Sequence, residues 1–96
     1  MVEDADERFF DLLMKTLNYS IEFNNSPGYA SLRFMDLFTS LVDAQPLILK
    51  ETRHREFYDR VRNRIKTRVP GQAGEARTSM HTDLTQMFIE EWKATS

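Results

Sequence analysis

Cysteine is absent from this 96-residue chain, and its absence excludes several kinds of site. Disulfides, catalytic thiolates and zinc or iron–sulfur centres held by cysteine all require the missing side chain. A chain without disulfides fits a reducing compartment, so we expect a cytoplasmic protein. The length suits one domain over residues 1–96, which must bury a dense core to fold alone.

Long apolar runs are also missing. No segment approaches the roughly 20 apolar residues that a membrane-spanning helix needs, so we expect no membrane contact. The first eight residues, MVEDADER, are acidic, whereas a secretory leader starts with basic residues and continues with an apolar stretch. Both features favour a soluble intracellular protein.

Histidine is scarce, and no spacing typical of a metal or catalytic site is present. His54 and His81 are the two histidines; they form no His-x-x-x-His pair and fall on different predicted helices. The loop VPGQAGEAR lacks the Gly-x-x-x-x-Gly-Lys signature of a phosphate loop. We therefore predict no catalytic residue, no metal and no cofactor. His54 falls on an apolar helix stripe, which favours a hydrogen-bonded, partly buried histidine over a catalytic base.

Apolar side chains recur at steps of three and four in four segments, as is typical of amphipathic helices. No useful strand alternation and no repeat interrupts this pattern. Four helices with short connections predict an all-α fold, a small antiparallel bundle. The predicted helices run from about Asp4 to Asn24, from Pro27 to Ala44, from just after Pro46 to Arg68 or Val69, and from Ser79 to Ala94.

Proline and glycine are expected to separate these helices. Pro27 suits the first position of the second helix, and Val69 before Pro70 ends the third. Pro46 is expected to divide the second helix from the third, which places Leu47 on the buried stripe of the third helix. Trp92 is predicted on the buried stripe of the fourth.

The aromatic and methionine content favours an interface. Seven phenylalanines and five methionines are more than a thin monomeric bundle easily hides. The first two helices also have wide apolar arcs, so we predict a homodimer with a shared core. In the alternative, a compact monomer, those arcs face only each other. The candidate interface residues are Phe34, Leu37, Phe38 and Leu41.

Charge is unevenly distributed, since residues 50–68 hold eight basic and three acidic side chains in a chain of net charge −2. On a helical wheel the basic residues flank the apolar stripe on both sides, where long side chains cover the edge of a core. The candidate contacts for phosphate or an acidic partner are Arg53, Arg60, Arg64 and Arg68. Glu91 is expected to pair with an arginine of the third helix at the edge of the bundle.

The stretch from Tyr29 to Asp36, YASLRFMD, resembles the start of the second helix in a family of short, uncharacterised microbial helical proteins. In that family a tyrosine follows a proline-containing turn and precedes an apolar–Arg–apolar–apolar–Asp run. The family has glycine-proline after the tyrosine, where this chain has Ala30 and Ser31. The resemblance implies an all-helical fold and no particular activity.

These features together predict a non-enzymatic protein that acts as a protein-interaction or accessory module. The alternative is a nucleic-acid-associated protein that binds phosphates through the basic third helix. The net charge of −2 and the lack of a nucleic-acid-binding motif make this alternative the less favoured.

Overall fold

The computed structural model describes residues 2–24, 26, 28–66 and 75–95, which form four helices and contain no strand. The helices are α1 Val2–Glu22, α2 Ala30–Ile48, α3 Arg55–Lys66 and α4 Glu75–Thr95. Consecutive helices lie side by side, and α4 returns to pack against α1. The predicted all-α four-helix architecture is therefore confirmed for the described residues.

The centre of the bundle is an aromatic cluster to which each helix contributes one phenylalanine. The ring of Phe88 on α4 lies 4.8 Å from Phe57 on α3, 5.1 Å from Phe10 on α1 and 5.8 Å from Phe38 on α2. Aliphatic residues such as Leu13 extend the core along the helices. The apolar stripes of all four helices thus converge on one core.

This core hides more of the phenylalanines than the composition suggested. Phe9, Phe10, Phe38, Phe57 and Phe88 are all buried within one copy of the chain. A second subunit is therefore not required to cover them, and any case for a dimer has to come from the side chains that remain exposed.

The second helix continues through Pro46, contrary to the prediction. It ends at Ile48, and α3 begins at Arg55. Proline has no N–H to donate to the carbonyl four residues earlier, which belongs to Val42. Arg62 on α3 donates a hydrogen bond of 3.2 Å to that carbonyl oxygen. An interhelical contact thus replaces the hydrogen bond that Pro46 removes.

This extension of α2 also corrects the predicted position of Leu47. Leu47 lies on the outer side of α2 and is 82% exposed, since it is not part of α3. Trp92 on α4 was predicted to be buried as well, but it is 59% exposed. Among the described residues, no helix has both the length and the apolar character that crossing a bilayer requires.

Candidate functional site

The described arginines singled out by the sequence already lie against carboxylates of neighbouring helices. The arginines are half-exposed or partly buried, and the shortest distances lie between 2.7 and 3.8 Å. The pairs are Arg53 with Asp6 and Glu7, Arg60 with Glu91, and Arg64 with Asp83. Arg68 lies outside the described residues. Arg60 and Arg64 therefore connect α3 to α4, and Arg53 connects the segment before α3 to α1.

His54 is buried and hydrogen-bonded, as the sequence predicts. It lies just before α3 and is 2% exposed, and its Nδ1 atom lies 2.6 Å from Oε2 of Glu91 on α4. The other carboxylate oxygen of Glu91 lies 3.7 Å from Arg60, which confirms the expected pair with an arginine of α3. The ring of His54 stacks on Phe10 at 4.6 Å. His54 thus has a fixed orientation.

The tautomer of His54 follows from its two neighbours. Nε of Arg53 lies 3.5 Å from Nε2 of His54, and an arginine N–H can only donate. Nε2 is therefore the acceptor, and Nδ1–H donates to Glu91. A contact of 3.5 Å is at the outer limit for a hydrogen bond, so Arg53 is a weak donor to Nε2.

Asp6 fixes the segment between α2 and α3 on the first turns of α1. One carboxylate oxygen accepts a hydrogen bond from the hydroxyl of Thr52, and the other accepts one of 3.1 Å from the backbone N–H of Arg53. The hydroxyl oxygen of Thr52 in turn accepts the backbone N–H of His54. The helix predicted from about Asp4 to Asn24 includes Asp6, but the sequence pattern could not identify these partners.

Tyr58 brings a buried hydroxyl close to the same carboxylates. Its side chain is fully buried, and its hydroxyl has no hydrogen-bond partner among the described residues. Burial raises the pKa of Tyr58 well above its usual value, and the negative charges of Asp6 and Glu91 raise it further. Tyr58 therefore stays protonated and packs as an aromatic core residue.

A cavity of about 370 Å³ opens beside His54, between α1 and the C-terminal part of α4. Its walls combine a buried imidazole, an exposed indole, an arginine and two carboxylates. The lining residues are Glu7, Phe10, Asp11, Arg53, His54, Trp92 and Thr95. This volume lies at the small end of the range usual for small-molecule sites.

A second histidine, His81 on α4, lies in a polar contact that no pattern in the sequence predicts. Its Nε2 atom lies 2.7 Å from the hydroxyl oxygen of Ser20 on α1. The hydroxyl of Ser31 on α2 donates to the carbonyl oxygen of Ser20 at 2.7 Å. All three residues are buried, so this serine–histidine contact joins three helices and does not open onto solvent.

The outer surface of α1 and α2 is apolar and partly exposed. Its members recur at steps of three, four and seven, which places them along the adjoining flanks of two neighbouring helices. They form what we call the α1–α2 face: Leu12, Tyr19, Phe23, Phe34, Leu37, Leu41 and Ile48. Phe34 joins the two helices, since its ring lies 5.2 Å from Tyr19 and 5.7 Å from Phe23.

The face includes three of the four predicted interface residues. Leu37 is 47% exposed, and Phe34 and Leu41 are half-buried. Phe38 is fully buried against Phe88 and cannot contact a partner in this conformation, so its assignment to an interface is corrected. Its position one residue after Leu37 turns it by about 100° toward the core.

Searches with models of protein families, among curated proteins and among solved structures gave no match to this chain. The resemblance of the Tyr29–Asp36 segment to a microbial helical family therefore stays a prediction. The candidate sites rest on the geometry of the described residues alone.

Proposed function

We propose that this protein is a non-enzymatic interaction module whose α1–α2 face binds a second copy of the chain, which forms a two-fold homodimer. The observation that supports this proposal is the concentration of exposed apolar side chains on one surface. Leu12, Tyr19, Phe23, Leu37 and Ile48 are each between 38% and 61% exposed and share this face.

Exposed apolar area of this kind favours association. Completing the burial of a half-exposed leucine or isoleucine contributes roughly 1 to 2 kcal/mol at about 25 cal/mol per Å². The three aliphatic and two aromatic exposed residues of this face, with their half-buried neighbours, together offset a substantial part of the entropy that two chains lose on binding. Contiguous apolar patches on small proteins commonly mark interaction sites for the same reason.

The distribution of charge supports a second copy as the occupant. Arg8 and Glu22 lie near opposite ends of α1, and both are exposed beside the apolar residues of this helix. A two-fold axis that runs across the helices stacks α1 antiparallel on the α1 of the second copy. That arrangement brings Arg8 close to the partner's Glu22 and favours this orientation over the reverse.

Side-chain size along the face supports the same orientation. One end of the face has the aromatic rings of Tyr19, Phe23 and Phe34, and the other end includes the small residues Ala5 and Ala44. In the antiparallel stacking the bulky end of one copy lies over the shallower end of the other. A self-complementary surface is the requirement for a two-fold interface.

The nucleic-acid alternative has weaker support. Arg53, Arg60 and Arg64 lie next to carboxylates, so a phosphate has to compete with those pairs. A cytoplasmic setting remains part of the proposal because the chain has no cysteine.

Sedimentation equilibrium tests the homodimer with a matched pair of variants. Leu37 and Leu32 lie on the same helix with 47% and 40% exposure, but five residues separate them by about 140° around the axis. We expect the wild-type chain at about 50 µM to sediment as a dimer, Leu37→Arg as a monomer and Leu32→Arg as a dimer.

Circular dichroism checks that both variants keep the helical fold. A wild-type monomer at this concentration contradicts the proposal, as does a dimer that survives Leu37→Arg. A monomer in both variants assigns the effect to general destabilisation and also contradicts the proposed face.

A further inference from the structure

We propose that the cavity beside His54 binds an organic cation, namely a primary amine attached to an aromatic or apolar body. The site lies on the flank of α1 opposite the α1–α2 face, so the proposal does not depend on dimer formation. It rests on three features of the cavity wall: a carboxylate with no ion pair among the described residues, an imidazole nitrogen that accepts only a long hydrogen bond, and an exposed indole.

Asp11 supplies the carboxylate. It lies one turn after Glu7 on α1, and both residues line the cavity. Glu7 lies 3.8 Å from the guanidinium of Arg53, whereas Asp11 makes no ion pair with any described residue. Since Arg53 also lies 3.7 Å from Asp6, its charge is shared between two other carboxylates. Asp11 is therefore the carboxylate at this cavity that is available to pair with a cationic ligand.

The charge around the cavity has the sign that attracts a cation. The wall contains two carboxylates and one guanidinium. Asp6 and Glu91 lie directly behind the wall; Asp6 contacts Arg53, and Glu91 contacts His54 and Arg60, which leaves four carboxylates against two guanidinium groups. A concave surface with this excess of negative charge raises the local concentration of cations and disfavours anions.

His54 supplies a hydrogen-bond acceptor of fixed direction. Glu91 accepts from Nδ1, so Nε2 is the acceptor atom, and Arg53 approaches it only at 3.5 Å. An ammonium group has three donors and no acceptor, which matches a carboxylate together with an imidazole lone pair. His54 is 2% exposed, so its position is set by the core and needs no rearrangement on binding.

Trp92 and Phe10 supply the apolar part of the site. The indole of Trp92 is 59% exposed at the cavity, although Phe88, one turn earlier on α4, is buried. Tryptophan is the best aromatic partner for a cation, and its ring also covers an apolar ligand body. Binding of such a ligand covers an indole ring that is otherwise largely exposed to solvent.

Fluorescence of Trp92 tests the proposal directly because it is the single tryptophan in the chain. The probes are 2-phenylethylamine, 2-phenylethanol and phenylacetate, which share a ring and differ in charge. We expect the amine to change the emission saturably and to bind at least about 10-fold more tightly than the alcohol or the acid. Calorimetry supplies an independent measure of each affinity.

Two variants locate the binding. Asp11→Asn is expected to weaken amine binding by about 10-fold or more, while Asp43→Asn, at an exposed aspartate of α2, leaves it unchanged. The ¹⁵N shift of Nε2 of His54 is expected to move on addition of the amine and not on addition of the acid.

Several results overturn the proposal. Equal or tighter binding of phenylacetate shows that Arg53 determines the ligand class. Equal binding of the alcohol shows that the carboxylate has no role. No saturation by about 20 mM amine, or equal effects of the two aspartate variants, shows that the cavity is not such a site.

Discussion

The guanidinium of Arg62 on α3 donates a hydrogen bond of 3.2 Å to the carbonyl oxygen of Val42 on α2. The same Nη1 atom lies 2.9 Å from the side-chain oxygen of Gln45, and the guanidinium also pairs with Asp59. Val42 needs this donor because the residue four positions later is Pro46. Arg62 therefore stabilises the last turn of α2 from outside the helix.

A double-mutant cycle tests this role. We expect Arg62→Ala to lower the free energy of unfolding by about 1 to 3 kcal/mol, because a backbone carbonyl and Gln45 lose a charged donor. Adding Pro46→Ala restores an N–H to the helix and is expected to recover part of this loss. Urea denaturation followed by circular dichroism measures each free energy. Additive effects of the two substitutions contradict the proposed exchange of donors.

The contact between His54 and Glu91 is expected to contribute measurably to stability. Glu91→Ala leaves the buried Nδ1–H of His54 without an acceptor, which costs about 1 to 3 kcal/mol. Glu91→Gln keeps an acceptor oxygen and is expected to cost less. Glu90→Ala on the exposed side of α4 is the matched control, with a change near zero. Equal losses for Glu91→Ala and Glu90→Ala refute the assigned role.

Tyr58 gives the stability a defined dependence on alkaline pH. Its pKa is raised in the folded chain, so above about pH 10 the folded state binds more protons than the unfolded state. The contribution of Tyr58 to the free energy of unfolding is complete below that pH. Above it, this contribution declines by up to about 1.4 kcal/mol per pH unit. We expect Tyr58→Phe to flatten this decline, while Tyr29→Phe at an exposed tyrosine leaves it in place.

At neutral pH, Tyr58→Phe tests whether the hydroxyl of Tyr58 lacks a hydrogen-bond partner. Because the oxygen of Tyr58 has no hydrogen bond among the described residues, Tyr58→Phe is expected to change the free energy of unfolding by less than about 1 kcal/mol. Chemical denaturation at pH 7 and between pH 9 and 11 supplies both comparisons. A large loss at pH 7 indicates a partner for the hydroxyl and contradicts this interpretation.

The buried contact between Ser20 and His81 is expected to specify how α1 and α4 align. Ser20→Ala removes the hydroxyl that faces Nε2 of His81, at a cost of about 1 to 3 kcal/mol. Ser40→Ala, at an exposed serine of α2, is the control and is expected to have almost no effect. Thermal unfolding distinguishes the two, and a similar melting temperature for both variants rules out an energetic role for the buried pair.

Local spacing along the sequence determined which faces of the helices are apolar. Phe57, Val61 and Ile65 recur at steps of four, and all three are buried. The burial of His54 and the pairing of Glu91 with an arginine of α3 were also predictable, because both follow from positions on a helical wheel. The end of α2 was not predictable, since the donor that satisfies Val42 comes from another helix.

The tertiary structure alone decided which polar groups meet. Asp6 bonds to Thr52 across 46 positions, and Ser20 meets His81 across 61. Periodicity sets the faces of a helix, but the register between helices depends on how their side chains interlock in the core. That register also placed Asp11 and Trp92 on one cavity, which no local pattern in the sequence predicts.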